Sequence, residues 1–217
     1  MARHKQKKKA STPSPARFYR RIGSKGWSDS NYFTYSAISP AYRRWLAAGL
    51  GATPRDILSI GCGNGELESH LAASGHRLVG IDLSHPMLRR AVRAGLDRPV
   101  EADARFLPFA AASFDVVLFP ESIGHLPLAE VFVEARRVLR SHGALIVATY
   151  SSHTGVHPLY RKYRFAELTP AAEAVGLTVE AELFLAARRN TVAEAPSDAK
   201  ATLLYLKASV MVAEAAR

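Results

Sequence analysis

Asp56-Ile57-Leu58-Ser59-Ile60-Gly61-Cys62-Gly63-Asn64-Gly65-Glu66 is the stretch of this 217-residue chain whose reading decides the fold. Asp56 to Ile60 is a short apolar run that predicts a strand. Glu66 to Ser74 follows as a helix that Gly75 closes. Gly61, Gly63 and Gly65 lie in the turn between them, where missing side chains let the backbone approach a ligand that Cβ atoms would strike. Asp82 lies 21 residues beyond Gly61, at the end of a second predicted strand, Arg77 to Ile81. A carboxylate there can accept hydrogen bonds from both hydroxyls of a ribose, which points to an adenosine-bearing ligand. A GxGxxG dinucleotide fingerprint would need glycine at position 66. Glu66 stands there instead, at a helix N-terminus where it would repel a pyrophosphate, so a ligand without phosphate fits better.

Outward from that unit, strand and helix signals alternate. Ser84 is placed to cap a helix with Pro86 in its first turn and Gly95 at its end. Val100 to Ala102 and Asp115 to Phe119 read as third and fourth strands. Leu128, Val131, Phe132, Ala135, Val138 and Leu139 recur at helical spacing, and Gly143 separates that helix from a fifth strand, Ala144 to Thr149. Thr169-Pro170 opens a further helix that Gly176 ends. Leu177 to Leu185 and Ala201 to Val212 then form two strands with no helix between them, joined by a polar loop containing Pro196, as in a hairpin. The expected fold class is α/β: a Rossmann-like, doubly wound, seven-stranded sheet, mostly parallel, with a C-terminal antiparallel hairpin strand.

The formal net charge is +10, and all of it is local. Residues 1 to 45 hold eleven Lys/Arg and a single acid, Asp29, which leaves 18 basic and 18 acidic residues in the rest. Residues 1–16 read as a disordered basic tail, too poor in apolar residues to order itself. Such a tail is a solubilising segment, an electrostatic arm for RNA or another polyanion, or, more weakly, a transit peptide. Residues 17–50 read as an aromatic and basic N-terminal cap, in which Ser39-Pro40 starts a helix and Tyr42, Trp45 and Leu46 share a face. Packing on the domain edge is the simpler role for these aromatics, ligand contact the other. Residues 51–217 form the main domain. One cysteine, Cys62, excludes an internal disulfide. No apolar run reaches the roughly 18–20 residues of a membrane helix, and no secretory core opens the chain, so a soluble, cytoplasmic protein is expected.

ILSIGCGNGELESHLA, VGIDLS, EADARFLPFAAASFDVVLF and EARRVLRSHGALIVATY, in that order and spacing, resemble the successive motifs of class I S-adenosylmethionine-dependent methyltransferases, in the small-molecule, type 11-like branch. The resemblance covers residues 56 to 150. It implies S-adenosyl-L-methionine as cofactor, S-adenosyl-L-homocysteine as product, and transferase activity on a nucleophilic N, O or C atom. Carried over by position, it puts Gly61, Cys62 and Gly63 against the methionyl part, with Gly65 completing the turn. Asp82 would hold the ribose, Leu83 and Met87 flank the adenine, and Asp103 and Ala104 meet its amino group. Phe119 and Pro120 would border the sulfonium. One position departs: the family often carries an acid where this chain has Ser59.

The methyl group is already activated by its positive sulfur, so the protein must mainly align a nucleophile and, where needed, take its proton. The candidates are Glu121 and His125, after the fourth strand. His125 is either a packing residue beside the cofactor or a base or acceptor contact; Glu121, in an apolar segment, is either paired or facing an acceptor. The stretch His153 to Arg164 is basic and aromatic and would border the acceptor. Its two histidines, with Gly155 and Pro158 beside them, do not make a metal site, and no metal is expected. The expected acceptor is a small molecule. The alternatives are an RNA or protein methyltransferase using the basic arm, although FPES stands where amino-adenine enzymes carry [N/D]-P-P-[Y/F], or a non-catalytic cofactor-binding module.

Overall fold

The computed structural model describes residues 14, 17–18, 20–21, 24, 40–152, 159–187, 191–201 and 203–210. The predicted tail (apart from Ser14), the cap aromatics Tyr19, Trp27, Tyr32, Phe33 and Tyr35, and residues 153–158 lie outside the described residues. The elements run α1 (Pro40–Leu50), β1 (Asp56–Ile60), α2 (Glu66–Ala73), β2 (Arg77–Asp82), α3 (His85–Arg93), β3 (Pro99–Glu101) and β4 (Phe114–Pro120). They continue with α4 (Leu128–Val138), β5 (Leu139–Tyr150), α5 (Phe165–Glu173), β6 (Thr178–Ala187), β7 (Val192–Glu194) and β8 (Leu203–Ser209).

The strands form one sheet in the order β3-β2-β1-β4-β5-β8-β6-β7. β3, β2, β1, β4 and β5 pair parallel, and β8 enters antiparallel between β5 and β6. Alternation along each central strand feeds two cores. Leu58, Ile60, Val117, Phe119, Leu145 and Val147 meet α4 and α5 on one face, while Ile57, Val116, Leu118, Ile146 and Ala148 meet α1, α2 and α3 on the other. Strands covered on both faces need apolar residues at every position, which is why DVVLF reads as a continuous run. The chain extends the sheet in one direction from β1 to β3, then returns to β4 on the other side of β1. This reversal opens a crevice at the carboxyl ends of β1 and β4, where ligands of such sheets bind.

Several expectations are corrected. The sheet has eight strands, not seven, because Val192–Glu194 adds a three-residue edge to β6 in a segment with no apolar run to announce it. β5 starts at Leu139, five residues before the expected Ala144; Gly143 lies inside the strand, beside a shift in the β4–β5 register between Phe114 and Val116. α5 begins at Phe165 rather than Thr169, with Pro170 inside it. There the Arg164 N–H donates to the Glu167 carboxylate at 3.2 Å, an N-terminal bond that outweighs the Thr-Pro signal. Ser84 stands at the N-cap of α3 without making a side-chain cap bond. No helix among the described residues is long and apolar enough to cross a membrane.

Candidate active site

The glycine turn is built by backbone bonds. Gly61 and Cys62 N–H groups both donate to the Ile81 carbonyl, at 2.8 and 3.0 Å, and the Gly65 N–H donates to Cys62 O at 3.0 Å. This fastens the turn to the end of β2. Gly61, Gly63 and Gly65 have φ of 76°, 55° and 75°, the left-handed region in which Cβ is costly. Their reasons differ, however. A Cβ at Gly61 would overlap the Ser122 side chain, and one at Gly65 would lie 2.8 Å from the Ala91 Cα of α3. A Cβ at Gly63 would meet nothing within 4 Å. Two of the glycines are therefore demanded by the protein's own packing, while at Gly63 none of the described residues covers the backbone.

Asp82 ends β2 beside that backbone. Its Oδ2 accepts the Gly63 N–H at 3.0 Å and its Oδ1 the Ser84 N–H at 2.7 Å. Burial raises its pKa, against the opposing pull of those amides. The carboxylate is thus oriented by main-chain donors, with lone pairs left for a diol. This combination, bare backbone at Gly63 and an oriented carboxylate at Asp82, fits an adenosyl ligand. Leu83 is 39% exposed at the mouth. Met87 is buried in a small cluster with Phe18 and Leu159, which joins the N-terminal segment to α3, and Arg20 reaches Glu101 of β3 at 3.6 Å. Asp103 is held by Arg105, whose guanidinium bonds both of its oxygens and lowers its pKa. Ala104 is buried.

On the other side of the crevice, Glu121 follows β4 with φ of 59°, a sparsely populated conformation for a residue with a Cβ and of order 1 kcal/mol or more in cost. Its N–H donates to Ala148 O at 2.8 Å, which fixes the backbone as it leaves the sheet. Ser122 then donates its hydroxyl to the Ile60 carbonyl, tying the segment to the glycine turn. A single turn of 3-10 helix, Ile123–His125, follows. His125 Nδ1 lies 3.2 Å from Leu159 O; a carbonyl only accepts, so Nδ1 is the donor in this contact. The imidazole stands edge-on to Tyr160 at 4.9 Å, and the Tyr160 hydroxyl meets Thr149 Oγ1 at 2.8 Å.

The methyltransferase domain family model matches residues 58–147. That match makes residues 58–147 a methyltransferase domain. A demethylmenaquinone methyltransferase of Beutenbergia cavernae is 34% identical over 149 residues, 66% of this chain and 62% of that protein. The matched stretch thus spans under two thirds of that relative's length. Among solved structures, a 1,6-didemethyltoxoflavin N1-methyltransferase of Burkholderia thailandensis, with its acceptor and S-adenosylhomocysteine bound, superposes with a TM-score of 0.66 at 22% identity, covering 94% of this chain and 93% of that one. The [4+2]-cyclase SpnF superposes at 0.71 with 17% identity, covering 94% and 98%. The fold alone therefore does not name a reaction.

Gly61, Gly63, Gly65 and Asp82 meet where β1 and β2 end, and the Ser122–Ile60 bond brings the Glu121 segment beside them, while His125 packs on Leu159 and Tyr160. Two predicted cofactor neighbours turn their side chains away. Cys62 packs into the core against Gly80 and Leu96, and burial pushes its thiol pKa well up. Phe119 is fully buried against Phe132, ring centroids 5.9 Å apart. Each has only main chain to offer a ligand there. The residues missed from sequence are Ser122, Glu68 and the hydroxyl of Tyr42. Ser122 carried no pattern, since its role is a bond across 62 positions. Glu68 carried one faint sign: a charge in the first turn of a helix whose neighbours Leu67 and Leu71 are core residues.

Proposed function

We propose that this chain transfers a methyl group from S-adenosylmethionine to a nucleophilic C, N or O atom of a small molecule. The observation that carries the reading is the junction of glycine turn and β4 exit: Gly63, Asp82 and the strained Glu121 meet at one end of the sheet, joined by Ser122 on Ile60. The two methyltransferase relatives above act, by their names, on small ring compounds, which favours that acceptor class. S-adenosylmethionine, when bound, supplies a methyl group on a positively charged sulfur that needs no further activation. Gly61 to Gly65 would hold its methionyl part through main chain, Asp82 the ribose, Leu83 and Met87 the adenine faces, and Asp103 with Ala104 the adenine edge. Pro120 and the main chain of Phe119 would border the reacting end. Glu121 and the Nε2 of His125 are the groups placed to take a proton from the acceptor, and Tyr150 and Tyr160 wall the acceptor side.

Residues 17–50 act in this reading as a cap over the crevice, residues 51–217 as the catalytic domain, and residues 1–16 as a separate basic tail. The test is calorimetric titration with S-adenosylmethionine and S-adenosylhomocysteine, followed by mass spectrometry of quinol, phenol and amino-heterocycle acceptors. Binding with methylation of one class is the expected result, with turnover falling at least ten-fold in Glu121→Gln. Tight binding with no product on any acceptor would favour a non-catalytic module. The +10 charge of residues 1–45 favours a second role in holding a polyanion. RNA binding that weakens with salt, and vanishes when residues 1–16 are deleted, would establish that role.

A further inference from the structure

Glu68 lies in the first turn of α2, three residues beyond Gly65, and is 1% exposed. The hydroxyl of Ser59, itself fully buried, donates to its Oε1 at 2.6 Å. That bond joins β1 to the first turn of α2 across the glycine turn. The groups around the carboxyl are Ser59 from β1, Cys62 from the turn, Asp82 from β2, Tyr42 from α1 and Glu66 on its own helix. The two charges acting on it most strongly, Asp82 and Glu66, are both acids. Arg43 of α1 reaches this side of the molecule but pairs with Glu66, at 4.0 Å. Burial accordingly pushes the Glu68 carboxyl up to about 7.

A second observation comes from Tyr42. Its hydroxyl is buried with no hydrogen-bond partner among the described residues, and it lies in the field of both Glu121 and Glu68. Buried polar atoms are normally satisfied, so an orphan here marks a place where a further polar group belongs. A carboxyl held without a cation beside an unused phenol suits a ligand that brings positive charge with it. S-adenosylmethionine carries such charge on its amino group and its sulfur.

We propose that Glu68 supplies the carboxylate facing the cofactor's cationic amino group, in place of the acid missing at position 59, and loses its proton to solvent when the cofactor binds. The inference rests on the cofactor assignment above. Ser59 is then a positioning residue, its hydroxyl holding Oε1 while the ammonium offsets the new charge. Above pH 7 the site is ready; below it, binding must first expel a proton.

The test is calorimetry of the full chain with S-adenosylhomocysteine, in pairs of buffers differing in ionisation heat. 5′-Methylthioadenosine, which has the adenosine but no amino group, serves as the comparison ligand. With S-adenosylhomocysteine, roughly nine tenths of a proton should leave at pH 6 and about half at pH 7, and affinity should rise about ten-fold from pH 5.5 to 7. Methylthioadenosine should release none, and any release it shows belongs to Asp82. Glu68→Gln keeps an acceptor for Ser59 and should abolish the release and flatten the acid limb. Equal proton release by both ligands, or an unchanged pH profile in Glu68→Gln, would make Glu68 a structural staple only and overturn the proposal without any variant being needed for the first comparison. If neither ligand binds at any pH, the cofactor assignment itself fails, and this inference fails with it.

Discussion

The two ends of the central strands treat their carboxylates in opposite ways. At the amino ends, Arg140 bridges Asp56 and Asp115 at 2.7 and 2.9 Å, Arg77 bonds Asp56 at 2.6 Å, and the Asp56 N–H donates to Asp115. These guanidinium partners hold Asp56 down to about 2. At the carboxyl ends, Glu68 is buried and Asp82 half-buried, bonded to a serine hydroxyl or to backbone amides, and their pKa values are raised. A carboxylate with its cation in place is finished, and serves only to fasten β1, β2, β4 and β5 together. One held short of a cation is costly to the fold, and such cost is retained where a ligand relieves it. The contrast separates the fastening end from the binding end.

The strongest attack on that contrast is Asp82→Ala. It removes the orienting carboxylate and should raise the dissociation constant for S-adenosylhomocysteine about 100-fold, the scale of losing charged hydrogen bonds. An unchanged constant would remove Asp82 from the site. Glu68→Gln tests the cost of burial directly. A carboxyl whose folded pKa is raised from 4.5 to about 7 destabilises the fold increasingly as pH rises through that window. The ligand-free variant should therefore gain about 2–3 kcal/mol at pH 8 and nothing at pH 4. Thermal melts at the two pH values check this, and equal shifts at both would contradict it.

Two smaller effects sharpen the comparison. Tyr42→Phe deletes a buried hydroxyl that bonds no partner among the described residues, so the ligand-free protein should melt no lower and gain up to about 1 kcal/mol. A clear loss of stability would mean that the phenol has a structural bond. Asp56→Asn should cost about 1 kcal/mol at pH 7, discounted because Arg77 and Arg140 are partly exposed, while leaving cofactor affinity within two-fold. Because the folded pKa of Asp56 is lowered, its contribution is present above about pH 4 and lost as pH falls toward 2. The variant should lack that acid-limb loss in a pH-dependent urea titration, and an altered cofactor affinity would show that the two ends are not independent.

Much of this was legible beforehand for a local reason. The glycine turn, β2 ending in Asp82, the amphipathic α4 and the DVVLF strand are all written in near neighbours, and periodicity reports them. β7 was missed because three residues at an edge, Val192 to Glu194, bury too little to leave a pattern. The early starts of β5 and α5 were missed because their first residues are ordered by partners elsewhere, β4 for one and the Glu167 carboxylate for the other. Side-chain direction was not legible at two of the predicted site residues: Cys62 and Phe119 send their side chains into the core.

By itself the sequence determined that a strand, a glycine turn, a helix and a carboxylate recur in the order of a methyltransferase, because each of those signals is local. Tertiary structure alone decided why each glycine is needed, since Gly61 and Gly65 are required by Ser122 and Ala91, far away in sequence, while a Cβ at Gly63 would meet none of the described residues within 4 Å. It also brought the Glu68 carboxyl from the next helix onto the Ser59 hydroxyl. A hydrogen bond depends on distance in space, and folding brings Ser59 and Glu68 within 2.6 Å although the glycine turn separates them along the chain.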